Sequence, residues 1–278
     1  LPLINSLLTF RIYIYGIMTF KESCSDNSPN PNSDYYHFPS TSFIEGFTMR
    51  ILLQVLLWIP VIASTFCHAA GVQIGRTRII YDAAKKEVAL PLQNNDKELP
   101  WLIQSWTDTG DGKTHGPFIV TPPLFRLDPQ KEQSLRITWN GTALAGDKES
   151  LFYMNVRTVP ATATDEGDKN VLRLIYKTRL KLFWRPVGLS GTPSETCKNL
   201  RFARHGQQLT VINAGAFYSV FDSLALGSHK VEKADMAAPK SRVDIPLPDN
   251  AQGTSVTWRC ITDYGNASEK YTSTLAQD

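Results

Sequence analysis

The sequence over residues 144–161 reads LAGDKESLFYMNVRTVPA. Its polar, turn-rich start is followed by a strand candidate over 151–159. Outward from this stretch, short apolar runs broken by turn residues recur along the chain, and none sustains the 3.6-residue period of a helix. The other strand candidates are 88–92, 101–106, 135–139, 171–184, 209–212, 243–245 and 256–261. Strands of this length and spacing predict an all-β sandwich or barrel.

Residues 185–193, with the sequence RPVGLSGTP, interrupt the strand pattern. Proline and glycine together end a strand and are typical of a joint between domains. We therefore predict an N-terminal domain over 71–187 and a C-terminal domain over 188–278.

The chain has 278 residues, of which 42% are hydrophobic, and a formal net charge of +3. This hydrophobic content is enough for a packed core and excludes wholesale disorder. Because the basic residues are scattered rather than clustered, no nucleic acid is expected as a partner.

The first 70 residues are not part of the predicted folded body. Residues 49–70 have a short basic start, an apolar run over 51–63 and then Ala69 and Ala70, which is the layout of a secretory signal peptide cleaved after one of these alanines. The apolar run is too short for a membrane span, so no stable membrane insertion is expected. Residues 1–48 are interpreted as a non-native upstream extension, with a genuine membrane or regulatory leader as the alternative.

Removal of the pre-sequence leaves two cysteines, Cys197 and Cys260. In an exported protein these two have only each other to pair with, so a disulfide is predicted. The alternative is a pair of unpaired, buried thiols.

The sequence contains few features of an enzyme. The chain has no Gly-rich phosphate loop, and the segment 188–192 lacks the final glycine of a nucleophile elbow. His115, His205 and His229 are far apart in sequence and do not have metal-ligand spacing. We therefore predict no catalytic residue, no metal and no cofactor, and we expect that the chain is not an enzyme.

Residues 144–161 resemble the signature of the periplasmic pilus chaperones, which belong to the chaperone–usher pathway of Gram-negative bacteria. Further matches follow in the family's order over 76–78, 121–123, 126–127, 181–186 and 263–265. The resemblance covers essentially all of 71–278 and is strongest before residue 187. It implies a periplasmic protein of two immunoglobulin-like β-sandwich domains, set at an angle with a cleft between them, which uses no nucleotide.

The resemblance also implies partners and a mode of binding. Members of the family bind newly exported pilus or fimbrial subunits, whose own sandwich lacks its last strand, and deliver them to an outer-membrane usher. The G1 strand of the chaperone fills the gap. Leu172, Leu174 and Tyr176 share one face of a strand by the period of two and match the donor positions. Val171 and Ile175 interrupt the alternation and would suit a face packed on the chain's own core.

Two cations, Arg78 and Lys181, match the pair that holds the subunit's C-terminal carboxylate in the family. A carboxylate held by two charges fixes the register of an added strand, because a slip of one residue would turn every anchor to the wrong face. Arg76 and Arg179 are close enough in sequence to be alternatives.

A further set of charges, Glu149, Arg185 and Asp263, matches an inter-domain cluster of the family. We interpret it as structural, holding the two domains at a fixed angle and specifying geometry more than adding stability. The connection over 161–170 is short, which resembles the subfamily with a short F1–G1 loop.

The leading hypothesis is a soluble periplasmic chaperone for pilus or fimbrial subunits. The first alternative is a secreted β-sandwich adhesin or pilin-like structural subunit, which should carry an N-terminal extension of alternating apolar residues. Residues 71–81 carry Arg76 and Arg78 instead. An exported hydrolase on a sandwich fold is the third hypothesis. A second copy of the chain is a further candidate partner, because it would cap the donor strand in a dimer.

Overall fold

The protein is described by a computed structural model over residues 71–161, 172 and 174–276. The predicted upstream extension 1–48 and signal peptide 49–70 lie outside the described residues. Within the described part, the chain is nearly all β with one short helix. No described helix is long and apolar enough to cross a membrane.

Among the described residues, nine strands make the first β-sandwich. Their bounds are β1 (Val72–Ile74), β2 (Arg78–Asp82), β3 (Glu87–Asn94), β4 (Trp101–Asp108), β5 (Phe118–Thr121), β6 (Leu124–Leu127), β7 (Glu132–Trp139), β8 (Ser150–Pro160) and β9 (Tyr176–Arg185). One sheet has the order β1-β3-β7-β5, and the other has the order β2-β9-β8-β4-β6. All neighbours are antiparallel except β2 and β9, which run parallel.

The core of this sandwich follows the predicted alternation of side chains. On β4, for example, Trp101, Ile103 and Ser105 are buried, while Leu102 and Gln104 are exposed. The inward faces of the two sheets bury these side chains completely: Ile79, Leu90, Leu92, Ile103, Leu135, Ile137, Met154, Val156 and Leu182. The strands predicted over 88–92, 101–106, 135–139 and 151–159 are thus confirmed.

The start of β9 differs from the prediction. The strand was expected from residue 171, but it begins at Tyr176, so Leu172 and Leu174 precede the ladder. The reason lies on β8, where the N–H of Ala161 donates to the carbonyl of Pro100 on the β4 side. Backbone donors alternate between the two sides of a strand, so the preceding residue, Pro160, is the one that faces β9. Proline has no N–H to donate, so the ladder does not reach Pro160 and its last pair is Thr158–Tyr176.

A second β-sandwich follows the link after β9. Its elements are the helix α1 (Pro193–Lys198) and the strands β10 (Arg201–His205), β11 (Gln208–Asn213), β12 (Ser219–Leu226), β13 (His229–Lys230), β14 (Met236–Ala237), β15 (Ser241–Pro246), β16 (Ser255–Cys260) and β17 (Tyr271–Thr274). One sheet has the order β10-β11-β15; the other has the order β13-β12-β16-β17, with β14 also paired to β12. Phe202, Leu209, Val211 and Trp258 lie at the centre of its core.

The predicted disulfide is present in this second core. Cys197 on α1 is bonded to Cys260 at the end of β16, with 6.3 Å between their Cα atoms. Trp258 Nε1 donates to the carbonyl of Cys197 at 2.9 Å, so the helix is held to the sheet by a second contact. The alternative of two unpaired thiols is wrong.

Candidate functional site

The first half of β9 has a sheet neighbour on one side only among the described residues. β8 pairs with β9 from Tyr176 to Trp184, whereas β2 pairs with it only from Lys181 onward. Within the described part of the chain, the edge of Tyr176–Leu180 opposite β8 therefore offers unpaired backbone donors and acceptors, which another strand can use.

The three predicted donor side chains stand free at this edge. Leu172, Leu174 and Tyr176 are 85%, 52% and 54% exposed. Tyr176, the first residue of β9, shares the face of Leu180 and Leu182, which are buried in the first sandwich. Leu172 and Leu174 precede the strand, and an extended chain back to them would place both on this face as well. Leu172, Leu174 and Tyr176 thus form an exposed apolar row, which Thr178 separates from the buried Leu180.

The expectation that Ile175 packs on the chain's own core is wrong. Ile175 is 61% exposed and lies just before the start of β9. Val171, for which the same packing was expected, lies outside the described residues.

Arg78 and Lys181 are brought together by the sheet. They are direct partners in the first pair of the parallel β2–β9 ladder, next to the open edge. Arg78 Nη1 donates to the carbonyl of Ile261 at 3.1 Å, while its Nε is buried without a hydrogen-bond partner among the described residues. Burial lowers the pKa of Arg78, an effect opposed by the negative charge of Asp263. The guanidinium remains charged at neutral pH.

Lys181 is engaged by a carboxylate of the second sandwich. Its Nζ is 2.6 Å from Oδ1 of Asp235, which lies between β13 and β14. This contact could not be predicted from the sequence, since Asp235 belongs to no motif and lies 54 residues from Lys181.

Arg179, one of the two alternatives to the predicted cations, is bound within the first sandwich. Its Nη2 donates to Asp108 Oδ1 at 2.6 Å and to the carbonyl of Gly110 at 2.8 Å, and its guanidinium lies over the ring of Tyr153. Although burial acts to raise the pKa of Asp108, hydrogen bonds from Asn155 and Arg179 bring that pKa below its usual value. Arg76, the other alternative, is exposed in the link between β1 and β2.

Glu149, Arg185 and Asp263 meet between the two sandwiches, as predicted. Arg185 Nε donates to Glu149 Oε1 at 2.7 Å, and its two terminal nitrogens donate to both oxygens of Asp263 at 2.8 and 2.9 Å. The second oxygen of Glu149 accepts the backbone N–H of Tyr218 at 2.8 Å. Burial raises the pKa of Glu149, and Arg185 and the Tyr218 N–H oppose this rise.

A cavity of about 290 Å³ lies between the two sandwiches, beside Arg78. Ile80, Phe183 and Ile261 provide apolar walls, and the Cys197–Cys260 disulfide also lines it. This cavity could not be predicted from the sequence, because its walls come from segments that are distant in the chain and carry no shared motif.

Two domain families match the chain in order. Residues 71–190 match the N-terminal domain of the pili and flagellar-assembly chaperone PapD, and residues 195–272 match the C-terminal domain of the pili assembly chaperone PapD. The probable fimbrial chaperone LpfB of Escherichia coli O157:H7 is 39% identical over 222 residues, which are 80% of this chain and 96% of that protein.

Solved structures share the fold along nearly their whole length. A chain of the Salmonella enterica SafA pilin–SafB chaperone complex is 30% identical, with a TM-score of 0.69 and coverage of 74% of this chain and 97% of that one. The periplasmic chaperone SfaE is 33% identical, with a TM-score of 0.64 and coverage of 74% and 100%. The predicted fold of two immunoglobulin-like β-sandwiches is confirmed.

The match extends over both sandwiches and most of the length of each relative. It does not favour the alternative of an adhesin or pilin-like subunit, and a family of chaperones agrees with the expectation that the chain is not an enzyme. The chain therefore belongs to the PapD family of pili and flagellar-assembly chaperones.

Proposed function

We propose that this chain is a periplasmic chaperone for pilus or fimbrial subunits, which acts without ATP. It lends a strand to an incomplete subunit (the client), binds the client's C-terminal carboxylate and delivers the client to an outer-membrane usher. The observation that carries the proposal is the open edge of Tyr176–Leu180, which leads directly to the Arg78–Lys181 pair.

The parallel pairing of β2 with β9 supports a chain end as the ligand. A client strand added to the open edge in the direction of β2 would lie in line with β2 and run toward Arg78, its first residue. Since β2 occupies the next positions along β9, the added strand has to stop there. Its C-terminal carboxylate would then lie beside Arg78 and Lys181, where charge-assisted hydrogen bonds are strong. A strand in the opposite direction would bring a positive amino terminus to two cations.

The exposed apolar row supports strand donation. In an extended donor strand, Leu172, Leu174 and Tyr176 would point to the face that is buried further along β9, so a client groove that receives them would continue the core of the first sandwich. Each side chain, if mostly buried by the client, would contribute about 1.5–3 kcal/mol. The same contact would cover the unpaired edges of the client, which otherwise promote aggregation.

Relatives support the location and the partners. SafB is a chaperone solved with the SafA pilin, and SfaE is a periplasmic chaperone. Under this proposal, the signal peptide 49–70 is removed after Ala69 or Ala70, and domains 71–187 and 188–278 form the mature chaperone. The segment 161–170 would then form a short F1–G1 loop.

The experiment is periplasmic co-expression with a pilus subunit encoded beside this chain, followed by capture of the chaperone and measurement of the recovered subunit. We expect Arg78→Ala and Lys181→Ala each to reduce recovery strongly, because each removes one of the two carboxylate-binding charges. Arg76→Ala is the matched control, since Arg76 is exposed and two residues from Arg78.

Two results would contradict the proposal. Recovery at the wild-type level with both Arg78→Ala and Lys181→Ala would show that these cations do not anchor the client. Loss of recovery with Arg76→Ala instead of Arg78→Ala would show that the wrong arginine is assigned.

A further inference from the structure

Asp235 faces Lys181 from the second sandwich. Its Oδ1 is 2.6 Å from Lys181 Nζ, and its backbone carbonyl accepts the N–H of Phe221 on β12 at 2.9 Å. The Asp235 side chain is 64% exposed, while that of Lys181 is only 23% exposed. The ammonium that is proposed to bind the client's carboxylate therefore already holds a carboxylate of the same chain.

We infer that Asp235 is an internal carboxylate that occupies Lys181 in the unloaded protein and is displaced by the C-terminal carboxylate of the client. The inference rests on the proposed function of Lys181. The Asp235 side chain and the client's C-terminus both end in a carboxylate, and both would bind Lys181 Nζ. In contrast, the Nη1 of Arg78 is bonded to the neutral carbonyl of Ile261.

Charge and exposure both favour displacement of Asp235 by the client's carboxylate over sharing of Lys181 between the two carboxylates. Two carboxylates at one ammonium repel each other, and a lysine supplies a single positive charge. Because the Asp235 side chain is largely exposed, it can turn to water at little cost; exposed ion pairs contribute little to stability. Lys181 is more enclosed and keeps a carboxylate partner in both states.

The exchange has a consequence for selectivity. A client that ends in a carboxylate replaces the charge that leaves Lys181, whereas a neutral group at the same place does not. Asp235 therefore weakens binding of a client that ends in a carboxylate, which has to displace it, more than binding of an uncharged end, which leaves the Asp235–Lys181 pair intact. It makes occupation of Lys181 depend on a true chain terminus.

The test uses a peptide with the sequence of the last strand of a subunit encoded beside this chain, made once with a free C-terminal carboxylate and once with an amide. Calorimetry compares wild type with Asp235→Asn. We expect the carboxylate peptide to bind about 1.5- to 5-fold more tightly to the variant, the range for an exposed ion pair, and the amide peptide to gain less.

The matched control is Asp147→Asn. Asp147 Oδ2 is 2.6 Å from Lys240 Nζ in another ion pair between the two sandwiches, with similar exposure of the acid. This variant removes the same charge from a pair that does not include Lys181, so we expect no change in affinity for either peptide.

Lys181→Met, alone and with Asp235→Asn, separates the proposed role of Lys181 as an anchor from the inferred role of Asp235. If Lys181→Met does not weaken binding of the carboxylate peptide, the proposed anchor is wrong and the inference is overturned with it. If Lys181→Met weakens binding but Asp235→Asn does not strengthen it, only the inference on Asp235 is overturned. The same applies if Asp235→Asn strengthens binding equally when Lys181 is absent.

Discussion

Arg185 and Asp263 form a bidentate ion pair between the two sandwiches, with N–O distances of 2.8 and 2.9 Å. Arg185 is the last residue of β9, so this contact connects the end of the proposed donor strand to the second domain. Glu149, whose side chain is only 2% exposed, accepts the remaining Nε–H of Arg185. A single guanidinium thus satisfies two carboxylates at the joint.

The first prediction concerns the loss of this guanidinium. We expect Arg185→Ala to lower the free energy of unfolding by about 3–5 kcal/mol, because Glu149 is left buried and unpaired. Denaturant unfolding measures the effect. Arg126→Ala is the control, since its pair with Asp128 is exposed and should contribute less than about 1 kcal/mol. Equal effects of the two variants would contradict the prediction.

The second prediction concerns pH. Burial raises the pKa of Glu149, so the folded state holds this proton more tightly than the unfolded state. The contribution of Glu149 to the free energy of unfolding is therefore largest below its unfolded pKa of about 4.5, and it falls as the pH rises through the folded pKa. The free energy of unfolding of wild type minus that of Glu149→Gln, measured by denaturant unfolding across this pH range, should fall as the pH rises. A constant difference would show that Glu149 does not titrate as expected.

The strands of the first sandwich were predictable because burial there follows a local rule. Ile103 is buried and Leu102 exposed as the period of two requires. The start of β9 was not predictable in this way. It depends on whether the backbone nitrogen of Pro160, on β8, faces β4 or β9. That direction is known only once β8 is seen paired to β4.

The candidate site was predictable only in part, for a similar reason. Arg78 and Lys181 lie in segments that resemble known family motifs, and the structure pairs them across two strands. Asp235 and Asp108 lie in no such motif, although each carboxylate is 2.6 Å from a cation of β9. Contacts of this kind follow from how separate segments pack, which no local pattern records.

The third prediction concerns the disulfide. Cys197 and Cys260 are 63 residues apart, so breaking the bond frees a long loop in the unfolded state. In the chain-entropy model this costs about 4 kcal/mol of the free energy of unfolding. We expect the double variant Cys197→Ser, Cys260→Ser to lose about this amount in denaturant unfolding. Reduced wild type should match the double variant, and a stability equal to oxidised wild type would contradict the entropic argument.

The fourth prediction concerns the donor face. Leu174→Glu should weaken client binding about 10- to 150-fold, because it removes an apolar contact of about 1.5–3 kcal/mol and brings a charge into the client's groove. The free energy of unfolding of the chaperone itself should change by less than about 0.5 kcal/mol, since Leu174 is half exposed. Titration with the free-carboxylate peptide of a client's last strand measures the first effect, and denaturant unfolding measures the second.

Ile175→Glu is the matched control for the donor face. Ile175 is the next residue and is at least as exposed as Leu174, and in an extended donor strand it would point to the opposite face. If strand donation is correct, the same charge placed there should leave client binding within about twofold of wild type, because a solvent-facing substitution changes little. Equal loss of binding in the two variants would mean that the client does not bind to one face of an extended strand. The donor role assigned to Leu172, Leu174 and Tyr176 would then be wrong.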